Sequence, residues 1–412
     1  MHVESTNEVV SLVFLSRRRL ALASVAACAA LTLAACGSSS SSSPTSSGSG
    51  SVPKLTFQSF NLSFSAMKEL KSIAGRGKGN VAAILPDTVS STRYVEFDAP
   101  YLKKSMEDAG LKPSQIVIQN ALGSDATEYS DAQADITKGA DVLIMDPLDS
   151  GVGAKIESYA KSHGVAVIDY DRLTLGGTRK YYVSFNNNYV GTLLGKGLVS
   201  CVAAWHVAKP QVMVMRGAPT DNNATLFADG YNAVLAPYFS SKKWVDVANP
   251  AGTWTPDVAL SEFEAAYTAH PNVNAVLMPN DENGAPIIHY LQTKGIKANT
   301  FPVTGQDATL TGLQNVISGY QCGTVYKPIY LEAQAAVALA MYIRAGLTPP
   351  SALVNGQVKD VSTGTMVDSI LLTPEWVTPS TVQSTVIKDG FVPASQLCAG
   401  SFAADCTKYG IS

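Results

Sequence analysis

From residue 79 onward the chain alternates short, almost wholly apolar runs with longer amphipathic segments. The runs are NVAAILP (80–86), SQIVIQNA (114–121), DVLIMDP (141–147), VAVIDYD (165–171) and YYVSFN (181–186). A second series follows, with QVMVMRG (211–217), WVDVANP (244–250), NAVLMPN (274–280), FPVTGQD (301–307) and GTVYKP (323–328). Near-continuous apolar strands at this spacing are buried on both faces and joined by right-handed helical crossovers, which predicts parallel sheets. Two series predict an α/β fold of two Rossmann-like lobes with parallel sheets, joined by a multi-strand hinge. APYLKKSMEDAG (99–110) is expected to be one crossover helix, with Leu102, Met106 and Ala109 on one face and a glycine at its end. EAQAAVALAMYIRAG (332–346) reads as another, and because it follows the second series it is expected to return to the first lobe.

Before residue 79 the pattern is different. Arg17, Arg18 and Arg19 precede an apolar stretch, residues 20–35, that is short for a membrane span and right for an export signal. SRRRLAL allows either an ordinary basic n-region or a twin-arginine signal. LAAC (33–36) resembles the bacterial lipobox, which implies that Cys36 is lipidated and heads the mature chain. The GSSSSSSPTSSGSGS that follows cannot form a core and reads as a tether. The expected organisation is a signal peptide at 1–35, a lipidated cysteine and tether at 36–78, and an N-terminal lobe at 79–186 plus about 328–360. A C-terminal lobe would take 187–327 plus about 361–393, and a tail 394–412. Hinge segments are expected at 185–188, 326–328 and 358–366.

Composition narrows the function. The 412 residues are 46% hydrophobic and 15% charged with net charge −3, so large cores are possible and no nucleic-acid partner is expected. Of six cysteines, Cys28 lies in the signal and Cys36 would carry lipid. Cys398 and Cys406 are expected to pair in an oxidising compartment, whereas Cys201 and Cys322 read equally as a pair or as separate thiols. No spacing suggests a metal site, and no cofactor motif is present: GRGKG (75–79) precedes a strand, and GTLLGKG (191–197) lacks P-loop spacing. No GxSxG elbow occurs and the histidines fall away from strand ends, so catalysis is not expected.

Ligands of open α/β sheets bind beyond the carboxyl ends of the strands. Those ends carry Asp87, Arg93 and Tyr94; Asp171 and Arg172; Asp221, Asn222 and Asn223; Trp254; Asn280 and Asp281; Gln306 and Asp307; and Lys327. Fixed carboxylates, amides and cations satisfy adjacent hydroxyl groups, and an aromatic ring covers a C–H face. This set suits a carbohydrate. Taken singly, Asp221–Asn223 and Asn280 could equally be helix caps.

DYDRL, SFNN, PTDNNATLF, GTWTPDVAL, NDENGA, GQDA, TVYKP and TVIKDGF, in this order, resemble the D-xylose-binding proteins of bacterial sugar importers, a branch of the type I periplasmic binding proteins. The resemblance spans residues 78–393. It implies a lipid-anchored monomer outside the cytoplasm that closes on one monosaccharide and delivers it to a membrane permease and ATPase of an ABC importer. It also implies that Arg93, Tyr94, Arg172, Asp221, Asn223, Trp254, Asn280, Asp307 and Lys327 contact the sugar, which leaves Asn222 as the capping residue. In the family's first loop two arginines flank an acidic pair. Here PDTVSSTRYVEF keeps Arg93 alone, so an aldose similar to xylose is expected as readily as xylose. A sugar-sensing lipoprotein and a glycoside-processing enzyme are the alternatives.

Overall fold

The computed structural model describes residues 51–412. The signal, Cys36 and most of the serine-rich stretch lie outside the described residues. Twelve strands are named: β1 (Asn80–Leu85), β2 (Ile116–Asn120), β3 (Ala140–Met145), β4 (Ala166–Tyr170), β5 (Tyr181–Phe185), β6 (Gln211–Val214), β7 (Val245–Ala248), β8 (Ala275–Leu277), β9 (Thr324–Tyr326), β10 (Gly356–Lys359), β11 (Met366–Leu372) and β12 (Glu375–Val377).

The first lobe is built on a seven-stranded sheet in the order β10-β11-β5-β4-β3-β1-β2, parallel except for β10, which runs antiparallel to β11. Its central strands are buried on both faces, as their unbroken Val, Ile and Ala content requires. The second lobe holds β7-β6-β8, and single parallel bridges at Val276–Val303 and Gln306–Val325 carry the order on to β9, which pairs antiparallel with β12.

The chain passes between lobes three times. After β5, the helix Asn187–Ala204 packs Val190, Leu194 and Leu198 against Val212 and Val214 of β6. After β9, the helix Ile329–Arg344 returns to lie on β3, β4 and β5. After β11, Thr373 and Pro374 lead back to β12. The third crossing thus differs from the expected 358–366, which belongs to the β10–β11 hairpin. Met366–Leu372, expected in the second lobe, pairs in parallel with β5, because the apolar alternation of MVDSILL matches the open edge of the first sheet.

The N-terminal boundary also needs correction. Residues 53–74 are part of the first lobe, not a tether: Leu55, Phe60, Phe64, Met67, Leu70 and Ile73 are buried in its core, the last three at helical spacing. The Tyr342 hydroxyl donates to the carbonyl of Pro53 at 2.7 Å, and the amide of Phe57 donates to Ala352 O at 3.1 Å.

At the first crossing two glycines set the geometry. A Cβ on Gly191 would collide with the carbonyl of Phe227, and one on Gly230 with the carbonyl of Asn188. The helices Asn187–Ala204 and Asn222–Ser240 therefore pack backbone to backbone, which brings the start of the second helix to the hinge. Disulfides join Cys201 to Cys322 across the second lobe and Cys398 to Cys406 in the tail, with Cα–Cα separations of 5.9 and 5.7 Å. Among the described residues no helix is long and apolar enough to cross a membrane, and no cluster of His, Cys, Asp or Glu could hold a metal ion.

Candidate functional site

The carboxyl ends of both sheets face one another, and the loops beyond them enclose a small polar cavity, partly continuous with solvent. Fourteen residues line it: Ser90, Ser91, Arg93, Tyr94, Asp171 and Arg172 from the first lobe, and Asp221, Asn223, Phe227, Trp254, Asn280, Gln306, Asp307 and Lys327 from the second lobe or its edge. All nine sequence candidates are among them. They do not all face it in the same way.

Arg93 forms the floor. Its Nε and Nη2 donate to Asp98 at 2.9 and 2.8 Å, Nη2 also reaches Glu332 at 2.7 Å, and Nη1 donates to Asp171 at 2.9 Å. A guanidinium has five N–H groups, and this one spends most of them inside the protein, so Arg93 chiefly holds carboxylates in place. Asp171 is where that matters. Burial alone would raise its pKa, but Arg93, Lys327 and Arg172 reverse the effect and hold it at about 2. Its backbone sits at φ 55°, and its carbonyl accepts from Tyr182 Oη, Ser184 Oγ and Asn223 Nδ2 at 2.8, 2.8 and 2.9 Å.

Tyr94 lies between two cations, 5.5 Å from Arg93 and 5.8 Å from Arg172 measured to the ring centre, and its hydroxyl accepts from Arg172 Nη2 at 3.2 Å. Arg172 spans the cleft: its Nε is 3.7 Å from Asp146 in the first lobe and 3.6 Å from Asp221 in the second. Neither carboxylate oxygen of Asp146 has a hydrogen-bond partner, and burial, only partly offset by Arg172, pushes this acid well above its ordinary value.

Asp221 combines two roles. It caps the helix Asn222–Ser240, accepting the amide of Asn223 at 2.8 Å on one oxygen, while the other accepts Trp254 Nε1 at 2.9 Å. The cap is therefore Asp221 and not Asn222, because Asp221 alone has the extended backbone that an N-cap requires (φ −97°, ψ 120°). Asn223 turns its side chain to the hinge, its Oδ1 accepting from Asn187 Nδ2 at 2.8 Å and lying 3.1 Å from Tyr182 Oη. Trp254 stands edge-on to Phe227 at 6.4 Å, over Gly217, where any Cβ would strike the indole.

On the opposite wall Lys327 Nζ lies 3.1 Å from Asp307 and 3.8 Å from Asp171. Burial would lower the lysine, but the two carboxylates outweigh it and raise its pKa. Asp307 adopts φ 88°, a conformation that disfavours any side chain, and strain of this kind concentrates at functional sites. Its Oδ1 is the oxygen that faces Lys327 and has no other partner, and Gln306 Oε1 accepts no hydrogen bond. Asn280 caps the helix Asp281–Thr293 through its Oδ1, and its Nδ2 donates across the cleft to Ser90 O at 3.1 Å.

Sequence reasoning left out Ser90, Ser91, Phe227, Asp146, and Glu282 at the cleft lip. Asp171 and Gln306 were visible at strand ends. Phe227 and Glu282 sit within helices, where no strand-end rule points to them.

A family model described as a periplasmic binding protein domain matches residues 82–348. The chain is 34% identical over 337 residues to the D-xylose-binding periplasmic protein of Escherichia coli, covering 80% of this chain and 96% of that one. It is 29% identical to the multiple sugar-binding periplasmic receptor of Rhizobium radiobacter, over 78% of this chain and 92% of that one. Among solved structures, a carbohydrate transporter solute-binding protein from Chloroflexus aurantiacus in complex with D-glucose is 27% identical. It superposes with a TM-score of 0.69 and covers 77% of this chain and 97% of that one.

Proposed function

Because the chain belongs to the periplasmic binding protein family, matched from residue 82 to 348, we propose that its cleft binds a single aldose and hands it to an ABC permease. The relatives' transport role gives the broad assignment, a sugar-binding protein of ABC transport outside the cytoplasm. The observation that carries the finer reading is the pair of under-used buried acceptors that line the cavity: Gln306 Oε1, which accepts nothing, and Asp307 Oδ1, which faces only Lys327 Nζ. Leaving a buried acceptor such as Gln306 Oε1 unpaired costs about 1–3 kcal/mol, and a sugar hydroxyl reaching it would remove that penalty.

Asp307 and Gln306 would accept hydroxyl protons, Lys327 and Arg172 would donate, and Trp254 with Phe227 would cover a C–H face. Arg93 and Asp221 act one step back: Arg93 keeps Asp171 ionised, and Asp221 fixes Trp254 and Arg172. Xylose is favoured by the 34% identity to the E. coli protein, and glucose by the Chloroflexus structure. A sugar site discriminates by stranding its own polar groups when a hydroxyl is missing. Ser90 and Ser91, in the loop that keeps Arg93 alone of the family's charged residues, are where such selectivity would arise. Lipidation at Cys36 would keep the monomer at the membrane.

The indole of Trp254 reports on the cavity. Adding D-xylose or D-glucose is expected to change tryptophan emission with a saturable curve, and Trp254→Phe is expected to remove most of that change. An unchanged spectrum with both sugars, in protein that melts cooperatively, contradicts the proposal.

A further inference from the structure

Outside the cavity, at its lip, one residue of the second lobe holds a backbone group of the first. Glu282, in the first turn of the helix Asp281–Thr293, accepts the amide of Thr92 at 2.8 Å and the hydroxyl of Ser91 at 3.0 Å. Thr92 opens the helical run 94–108 of the first lobe, its carbonyl accepting Val95 N at 3.2 Å and Glu96 N at 3.0 Å. A carboxyl group of one lobe thus occupies the amino end of a helix of the other, where exposed N–H groups and the helix dipole favour it. The contact can exist only while the lobes meet. On opening, Thr92 N, Ser91 Oγ and Glu282 would return to water.

We propose that Glu282 is the closure latch of the cleft: an interlobe helix cap that prolongs the closed state, without touching the ligand. This rests on the sugar-binding reading. The latch is coupled to the ligand through Ser91, whose hydroxyl oxygen lies 3.0 Å from Glu282 Oε1 and 3.2 Å from Asp307 Oδ2 with one proton to give. A sugar hydroxyl donating to Asp307 Oδ2 would compete with Ser91 there and leave the Ser91 proton to Glu282 alone. Occupancy of the cavity thereby strengthens the clasp, which is the differential interaction that a ligand-driven closure needs.

The surroundings of Glu282 add a signature. Burial first, then the nearby carboxylates of Asp307 and Asp281, push its pKa up to about 8. From its own helix Asp281 faces it, from the 305–309 loop Asp307, and behind Asp307 stands Lys327. The first lobe presents uncharged Ser91 and Thr92, and the guanidinium of Arg93 is taken by Asp98, Asp171 and Glu332. A carboxyl whose pKa rises on closure takes up a proton between its ordinary value and about 8. Closure is therefore favoured below that window and weakens as pH rises through it.

The test is stopped-flow release of D-xylose and D-glucose from the mature chain, in wild type, Glu282→Ala and Glu282→Gln. Glu282→Ala is expected to release sugar about tenfold faster or more, with the association rate and the ligand-free melting temperature unchanged, since the two hydrogen bonds lost, from Thr92 N and Ser91 Oγ, together reach this range. Glu282→Gln is expected to retain part of the clasp and to lose the decline of affinity between about pH 5 and 8. Unchanged release in Glu282→Ala overturns the latch, as does a lowered melting temperature with unchanged release, which marks a cap of stability only. If wild type binds neither sugar, the sugar reading fails. The latch is then judged by spin-label distances between positions 138 and 293 in ligand-free protein, where Glu282→Ala must shift the population towards the longer distance or the latch is refuted.

Discussion

Asp221 carries two jobs that a sequence cannot separate. Its spacing before an apolar helix is that of a cap, its place at a strand end that of a ligand, and its oxygens are divided between the Asn223 amide and the Trp254 indole. Asp221→Ala is expected to cost about 1 kcal/mol of stability through the lost cap and to weaken sugar binding by freeing Trp254 and Arg172. Asn is a good cap, so Asp221→Asn is expected to keep the melting temperature and lose affinity; parallel melts and titrations of the two variants check this. Asp307 is the opposite case. Its Oδ1 faces only Lys327 Nζ within the protein, so Asp307→Ala is expected to abolish binding with a cooperative melt retained. Loss of the cooperative melt would make it structural. Residue types at strand ends were legible from the sequence because the parallel topology sends all those ends to one edge. How far each side chain is already engaged was not. Arg93 is held by Glu332, which lies 239 positions away on the returning helix, and no local pattern announces that pairing.

At the scale of elements, the chain's punctuation was a good guide in the middle and a poor one at the ends. Apolar runs of strand length located the parallel strands, since burial on both faces leaves no alternation to misread. Residues 53–74 were taken into the tether because serine and glycine dominate just before them, although Met67, Leu70 and Ile73 already have the spacing of a buried helix face. The third crossing was misplaced because β11 adds to the first sheet by pairing with β5, a long-range choice of edge. Two predictions belong here. Gly230→Ala must push apart the helices that meet at Asn188, and it is expected to lower the melting temperature and disturb the hinge. Glu128, on the helix Asp125–Thr137, is raised to about 8 by burial, partly offset by its hydrogen bonds from Leu148 N. A carboxyl raised on folding stabilises fully below its unfolded pKa, and that contribution is lost as pH rises through about 8. The melting temperature is therefore expected to fall between pH 5 and 8, and Glu128→Gln to flatten part of that fall.

For the whole molecule, the chain crosses between the lobes at Asn186, Lys327–Pro328 and Thr373–Pro374, and contacts across the cleft join the lobes face to face. Arg172 near Asp221, Asn280 to Ser90 and Glu282 to Thr92 all span the cleft. Lys327 sits between Asp307 of the second lobe and Asp171 of the first, at the second crossing itself. A ligand that satisfies Asp307 and Gln306 adds to this set, and closure is how a permease would distinguish loaded from empty protein. The measurement closest to that claim is isothermal titration of the mature chain against D-xylose, D-glucose, D-ribose, D-galactose and L-arabinose. We predict that one or two of these bind at one site with micromolar or tighter affinity. No heat of binding with any of the five, in protein shown to be folded, would contradict it.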